Sequence, residues 1–294
     1  MPDYRGDQAA GLRRLFGGGE TRIVTFASAN SGVGKSVLVA NLAAALAKLG
    51  QEVVVVDESP QRGVAACLGG NARHDLLQVI DGEKTLDEVF ARMGSGVRVL
   101  PVARAVKQLG QLNQRQQTAL IDSLTGMTQP ADVILVDASL DHPLGFSPFG
   151  LAAHEAVIVI AANSHSITDA YALIKKVSLG YARKRFRLLV NKGRSAAEAE
   201  AIHRNMAQVS QGRGLAHLAY AGFVPLDEQL RQALRLCQPV AELFPEAPAA
   251  RACQGIARSL LDWPLPEQNA GGLEHFVQHL LHLSQHIDPV PIYA

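Results

Sequence analysis

Ala29-Asn30-Ser31-Gly32-Val33-Gly34-Lys35-Ser36 is the stretch that decides the fold. It follows the apolar run Ile23-Val24-Thr25-Phe26-Ala27 and opens a helical apolar pattern at Val37, Leu38, Ala40, Leu42 and Leu46. Strand, glycine-rich loop and helix, in that order, make a Gly-Lys-Ser match a phosphate-binding loop. Backbone N–H groups from Gly32, Val33 and Gly34 and from the helix start at Lys35, Ser36 and Val37 would then point at a polyphosphate. Lys35 would reach its β/γ oxygens and the Ser36 hydroxyl would hold Mg²⁺. Ala29 stands where such loops usually begin with glycine, and alanine adopts φ > 0 only at a cost. The plainer alternative is a glycine turn that merely starts a helix.

With 294 residues, 48% of them hydrophobic, the chain is long enough to bury one large core. A net charge of +1 gives no broad attraction to nucleic acid or an anionic membrane, so no direct nucleic-acid binding is expected. Cys67, Cys237 and Cys253 lack metal-ligand or redox spacing and read as small core residues of a reducing cytosol. The N-terminus lacks the basic and apolar regions of a signal peptide, and no apolar run has membrane-spanning length. The expected location is the cytoplasm.

Apolar, β-branched runs recur at 23–27, 53–56, 97–102, 133–136, 157–161 and 188–190, with a last one near 218–224. Helical patterns lie between most of them, at 36–49, 85–92, 115–125, 167–179 and 196–211. This alternation predicts an α/β fold: a doubly wound, mostly parallel sheet with helices on both faces. The expected organisation is a tail over 1–19, a nucleotide-binding domain over 20–263, and a linker with a C-terminal amphipathic helix over 264–294.

Two of the strand runs end in aspartate, Asp57 and Asp137, where open α/β sheets bind ligands. Asp137 fits a Mg²⁺-shell role and Asp57 a second Mg²⁺ or switch contact; the alternative for each is an ordinary helix cap. Asn191 ends another strand run, and its amide has the donor and acceptor to pair with an adenine edge, although Asn is also a common turn residue.

The order of phosphate loop, Asp57, Asp137 and Val190-Asn191 resembles the MinD/ParA group of dimerising P-loop ATPases. Four further segments narrow the likeness to the MinD-like flagellar number regulators, the FlhG/FleN family. Asp7-Gln8-Ala9-Ala10-Gly11-Leu12-Arg13 resembles that family's DQAxxLR activator motif, and residues 166–175 its TDAYALIK segment. Asn191-Lys192-Gly193-Arg194-Ser195 is similar to its VNxxRS adenine loop, and the tail from Pro225-Leu226-Asp227 to Arg251 to its proline-punctuated ending.

The resemblance implies an ATP-dependent homodimer that returns to monomer on hydrolysis, with ATP and Mg²⁺ as ligands and Asp57 and Lys35 as catalytic residues. It implies partners that limit flagellar number: the signal-recognition-type GTPase FlhF, flagellar switch-complex proteins and a flagellar master transcription activator. Gln8, with Leu12 and Arg13 beside it, would then act in the FlhF active site; the alternative is a terminal helix packed on its own core.

Two departures bear on catalysis. The family's trans-acting lysine, which reaches the partner's phosphates, is replaced by Asn30, an uncharged amide. The second aspartate of the Asp-x-Asp switch is replaced by Ser59 in Asp57-Glu58-Ser59, and serine is no carboxylate at neutral pH. A chain that binds ATP but hydrolyses it slowly or not at all is therefore expected.

On the last helix, Leu273, Phe276, Val277, Leu280, Leu283 and Ile287 share one side, and His275, His279, His282 and His286 form a stripe on another. Three readings are open: docking on its own domain or dimer, a peripheral anchor at the inner face of the cell membrane, or metal binding by the stripe. No Lys or Arg follows Arg258, so an anchor would rely on apolar insertion. The basic run Arg183-Lys184-Arg185-Phe186-Arg187 is either a solvated face or a partner-docking patch.

Overall fold

The computed structural model describes residues 21–60, 63–139, 146–264 and 272–286. The tail carrying Gln8, Leu12 and Arg13 lies outside the described residues. Eight strands, β1 (Arg22–Ala27), β2 (Val53–Asp57), β3 (Ala91–Arg92), β4 (Arg98–Pro101), β5 (Val133–Asp137), β6 (Glu155–Ala161), β7 (Arg185–Gly193) and β8 (His217–Pro225), form one sheet in the order β3-β4-β2-β5-β1-β6-β7-β8. Every pairing is parallel except β3 with β4. The longer helices are α1 (Lys35–Lys48), α2 (Gln114–Thr125), α3 (Ser164–Tyr181), α4 (Ala196–Gly212), α5 (Glu228–Arg235), α6 (Pro248–Leu261) and α7 (Gly272–His286).

The period-two alternation of the strands sorts side chains onto two covered faces. Val24 and Phe26, Val53 and Val55, Val133 and Leu135 point to the face covered by α1 and α6. Their neighbours Ile23, Val54, Val56, Ile134 and Val136 point the other way, where α2 and α7 cover them. Further along, Ile158, Ile160, Leu188 and Val190 meet α3 and α4 on that same side. Burial on both faces explains why these strands read as continuous apolar runs.

The helical pattern expected over 85–92 is cut short: a single turn, Leu86–Val89, gives way to the antiparallel edge strand β3. Phe90 breaks the helix because its extended ψ of 124° sends the chain along β4. α6 carries Ala249, Ala250, Cys253, Ile256, Ala257 and Leu260 into the core, a stripe that the sequence reading left unassigned. The C-terminal helix packs on the domain. Phe276, Val277, Leu280 and Leu281 join Phe149, Leu109, Leu112 and Leu120 in one cluster, with the Phe149 and Phe276 rings 6.3 Å apart. Gly110 lets the helix approach closely, since a Cβ there would come within 2.8 Å of the Ser284 carbonyl. Of the three readings of this helix, docking on its own domain is the arrangement observed.

Candidate functional site

The glycine-rich loop leaves the carboxyl end of β1, beside the neighbouring carboxyl ends of β5 and β6. Two of its residues are left-handed, Gly32 at φ 75° and Gly34 at φ 86°. Gly34 is also the N-cap of α1 and supplies no side-chain cap, so the first-turn N–H groups of the helix have no side-chain acceptor. From outside, the loop is tied down by its carbonyls. The Asn191 amide donates to the Val33 carbonyl at 2.8 Å, and Lys192 Nζ donates to the Gly32 carbonyl at 2.6 Å. Asn191 also accepts from the Lys192 N–H at 3.0 Å, and it abuts Gly34 so closely that a Cβ there would sit 2.7 Å from its amide nitrogen. The Asn191 side chain therefore braces the loop, which the sequence alone did not indicate.

Lys35 is buried at 8% exposure and turns back toward β5, where it donates to Asp137 Oδ1 and, at 2.6 Å, to the Ala138 carbonyl. Asp137 is fully buried, and its other oxygen accepts from Ser59 Oγ at 3.3 Å. Asp57 pairs in register with Asp137 across β2 and β5. Its carboxylate accepts from the Ser59 N–H at 2.9 Å and the Val64 N–H at 2.7 Å, at the start of the helical turn Val64–Cys67. A Cβ on Gly63 would fall 2.0 Å from Asp57 Oδ2, so only glycine fits there.

Glu58 points away from the loop. It is 2% exposed and accepts from the Ser139 N–H at 2.8 Å and from Ser147 Oγ, whose oxygen in turn accepts from the Gly150 N–H. The adjacent carboxyl thus serves the short helix Pro148–Ala152, as the one-residue offset from Ser59 predicts. Of the three carboxyls, Asp137 holds Lys35 directly, Glu58 feels its charge, and Asp57 lies beside Asp137. Burial, and then Asp137, push Asp57 up to about 6; burial pushes Glu58 up to about 7 against the opposing hydrogen bonds from Ser147 and Ser139.

Asn30 leans on α3, its amide nitrogen donating to Asp169 Oδ2 at 2.5 Å and lying 3.4 Å from His165 Nε2. A cleft of about 490 Å³ runs along the loop and is closed on its far side by Pro225, Leu226, Leu230, Arg231 and Leu234. Leu226 is 56% exposed and Leu234 38%, an apolar wall open to solvent. The sequence reading did not single out this wall; its signal is the leucine spacing of α5, which continues past the buried Ala233. Asp227 fixes the wall by accepting from Gln229 N–H at 2.8 Å and Ala249 N–H at 2.9 Å. Asn41 joins α1 to the same region by accepting from the Val240 N–H at 2.8 Å.

Among the described residues, no group of three or more His, Cys, Asp or Glu converges on a metal-sized site, and no helix is long and apolar enough to cross a membrane. With loop, strand-end carboxylates and cleft in place, the comparisons with known proteins agree with the geometry. Residues 24–240 match the CobQ/CobB/MinD/ParA nucleotide binding domain. Antiactivator FleN of Pseudomonas aeruginosa is 32% identical over 261 residues, 88% of this chain and 93% of that protein. The flagellum site-determining protein YlxH of Helicobacter pylori is 25% identical over 90% of each chain. The MinD cell division protein of Aquifex aeolicus superposes with a TM-score of 0.62 at 23% identity, covering 84% of this chain and 99% of that one. The chain belongs to the CobQ/CobB/MinD/ParA nucleotide-binding family and, within it, to the MinD-like flagellar regulators that include FleN.

Proposed function

We propose that this protein is an ATP-binding, MinD-like switch that regulates flagellar number and placement, with slow or absent hydrolysis. The observation that carries the ATP part is the uncapped N-terminus of α1 behind two left-handed glycines, with Lys35 beside it. That arrangement suits a polyphosphate, because the free N–H groups and the helix dipole favour negative charge. The donor set fits a hard cation as well: Ser36, Asp137 and Asp57 offer oxygen ligands, and the carboxyls outnumber the one lysine. When bound, Mg²⁺ would neutralise phosphate charge. The residues of this chain hold and orient: Lys35 on the β/γ oxygens, Ser36 and Asp137 on the metal shell, Asp57 as the switch contact. The apolar wall at Leu226 and Leu230 supports seating of a flat base, with Asn191 contributing mainly by fixing the loop.

The weakened-hydrolysis part rests on two placements. Asn30 is engaged with Asp169, and Ser59 offers a hydroxyl where an aspartate would orient water. The flagellar part rests on likeness to the antiactivator FleN and the site-determining YlxH. On that reading the ATP-bound form is a homodimer that engages an FlhF-type GTPase through Gln8, Leu12 and Arg13. Switch-complex proteins and the master transcription activator are its other partners. The protein would act in the cytoplasm, with peripheral membrane contact depending on release of α7. Burying Phe276, Val277, Leu280 and Leu281 is worth roughly 6–12 kcal/mol gross at about 1.5–3 kcal/mol per side chain. Lipid offers the same face a similar gain, so insertion has no advantage over docking until something displaces the helix.

A second reading, a nucleotide-independent scaffold, is favoured by one observation: both Asp137 oxygens and the Lys35 ammonium already have protein partners. One experiment separates the two. Excess protein is mixed with MgATP, and both ADP and bound unconverted nucleotide are measured against Lys35→Ala. Bound ATP that Lys35→Ala abolishes, with little ADP, supports the proposal. Rapid Lys35-dependent ADP formation overturns its slow-hydrolysis part, and no binding supports the scaffold.

A further inference from the structure

The positive charge of this chain is segregated in a way that the net charge of +1 conceals. Residues 171–187 and 201–217 contain eight Lys and Arg and no Asp or Glu. These segments are the C-terminal halves of α3 and α4 and the connections that lead into β7 and β8. The fold brings them together at the end of the sheet opposite the glycine-rich loop. Ser178 Oγ donates to the Leu215 carbonyl at 2.5 Å, and the His217 N–H donates to the Lys184 carbonyl at 2.7 Å.

Several of the eight cations touch their own domain, and Lys184 Nζ donates to Ser178 Oγ at 3.3 Å. Arg183 is half-buried and donates to the carbonyls of Leu151, Ala153 and His154; Arg187 pairs with Glu155 at 2.9 Å and lies over Trp263. By contrast, Lys175, Lys184, Arg185, Arg204 and Arg213 are exposed. Cations in the last turn of a helix gain a few tenths of a kcal/mol from its dipole, but Lys184 and Arg185 lie beyond α3 and Arg204 sits in the middle of α4. Among the described residues, no ion pair within 4.0 Å involves any of these five.

Two of the large apolar side chains that this protein exposes lie on the same two helices: Leu179 at 63% and Val209 at 46%. Val209 lines a shallow hollow of about 580 Å³ with Asn205, Gln208, Gly212 and Arg213. Beside it the Arg213 guanidinium lies 6.0 Å from the Tyr171 ring centre, and the Tyr171 hydroxyl is buried without a hydrogen-bond partner. Exposed aliphatic side chains on the same helices as exposed cations suit a protein-docking surface, with apolar contact giving affinity and the charges giving register and on-rate. A nucleic-acid backbone would match the cations but would leave Leu179 and Val209 without partners, and the exposed ring there, His217, offers a bare imidazole in place of a stacking platform.

We propose that the outer face of the C-terminal halves of α3 and α4 docks an acidic amphipathic segment of a partner protein, its carboxylates on Lys184, Arg185, Arg204 and Arg213 and its apolar side chains on Leu179 and Val209. The surface lies away from the glycine-rich loop, so the inference does not depend on the nucleotide reading.

The probe is a fluorescent synthetic peptide with leucines at i, i+3, i+4 and i+7 and glutamates between them. A control peptide has every Glu changed to Gln. Anisotropy titrations use the full chain, the charge-reversed variant Lys184→Glu/Arg185→Glu/Arg213→Glu, and Leu179→Ser. The Glu peptide is expected to bind, at least tenfold more tightly than the Gln peptide, and to weaken as salt rises from 50 to 300 mM. Charge reversal is expected to weaken it at least tenfold, and Leu179→Ser several-fold, with thermal melts unchanged. Arg185→Glu alone, at an exposed position, replaces the triple variant if that fails to fold. Equal affinity for both peptides, or affinity untouched by these substitutions, overturns the proposal. So does loss of binding to a 24-base-pair DNA duplex or to phosphatidylglycerol vesicles in the same variants when the peptide itself does not bind.

Discussion

Glu58→Gln is expected to make the nucleotide-free protein more stable at alkaline pH while leaving it nearly unchanged in acid. In the folded chain this carboxyl is 2% exposed and its pKa is raised from 4.5 to about 7 by burial. Because the folded value exceeds the unfolded one, the folded state binds more protons between these limits, and stability falls as pH rises through the window. With each tenfold step in proton affinity equal to about 1.4 kcal/mol, the loss between pH 5 and pH 8 is about 2.5 kcal/mol. Glutamine resembles the protonated acid. Its carbonyl oxygen can still accept from the Ser139 N–H, and its NH₂ can donate to the Ser147 hydroxyl. The variant is therefore expected to lie within about 1 kcal/mol of the parent at pH 5 and about 2.5 kcal/mol above it at pH 8. Urea unfolding followed by the fluorescence of Trp263, repeated from pH 5 to 8, measures this; a slope near 2.5 kcal/mol/M makes the pH 8 difference about 1 M in midpoint. Asp57, raised to about 6, adds a pH dependence of the same sign that persists in both proteins, so the comparison isolates Glu58. Parallel pH profiles for the two proteins would refute the reasoning.

Other substitutions probe the remaining contacts. Gly63→Ala would place a Cβ 2.0 Å from Asp57 Oδ2 and dislodge that carboxylate from Ser59 and Val64, at a cost of about 2–3 kcal/mol measurable by thermal unfolding. Arg183→Met would leave the carbonyls of Leu151, Ala153 and His154 without their donor, and a loss of about 2–4 kcal/mol in urea unfolding is expected. His154 is held down to about 4 by burial, with His275, Arg183 and Arg22 adding repulsion, and His279 is lowered by burial and then by His275, His282 and Arg183. Both rings are therefore preferred neutral in the docked state, and the stability this confers is lost as pH falls below 6.5, for His154 down toward about 4. Amide exchange over 272–286, corrected for intrinsic rates, should quicken at pH 5.5 relative to pH 7.5, and His154→Gln should reduce the difference.

Much of the fold was legible because its signals are local. A buried parallel strand must be apolar at successive positions, so seven of the eight strands announce themselves as β-branched runs, and Gly34-Lys35-Ser36 between one such run and a helix leaves little choice of loop. The two-residue strand β3 has no such run, and only its pairing with β4 defines it. α6 went unassigned because half of its core stripe is alanine, which carries little hydrophobic signal even when fully buried. The strand-end carboxylates were legible as well, since a strand fixes where its last residue lies. What Asn191 does was not: an amide at a strand end serves a ligand, a turn or a neighbouring loop equally well until the Val33 carbonyl is placed 2.8 Å away.

The sequence by itself determined the layer order, the loop chemistry and the substitution of Asn30 and Ser59, because these depend on residue type and short spacing. Only the tertiary structure decided where side chains separated by tens or hundreds of residues meet. Glu58 was adjacent to the switch in sequence yet belongs to Ser147, because neighbouring side chains near a strand end point to opposite faces. The apolar face of α7 suited lipid and core equally by composition. It went to the core because Phe149, Leu109, Leu112 and Leu120, on three separate segments, form a complementary surface that no single stretch of sequence contains.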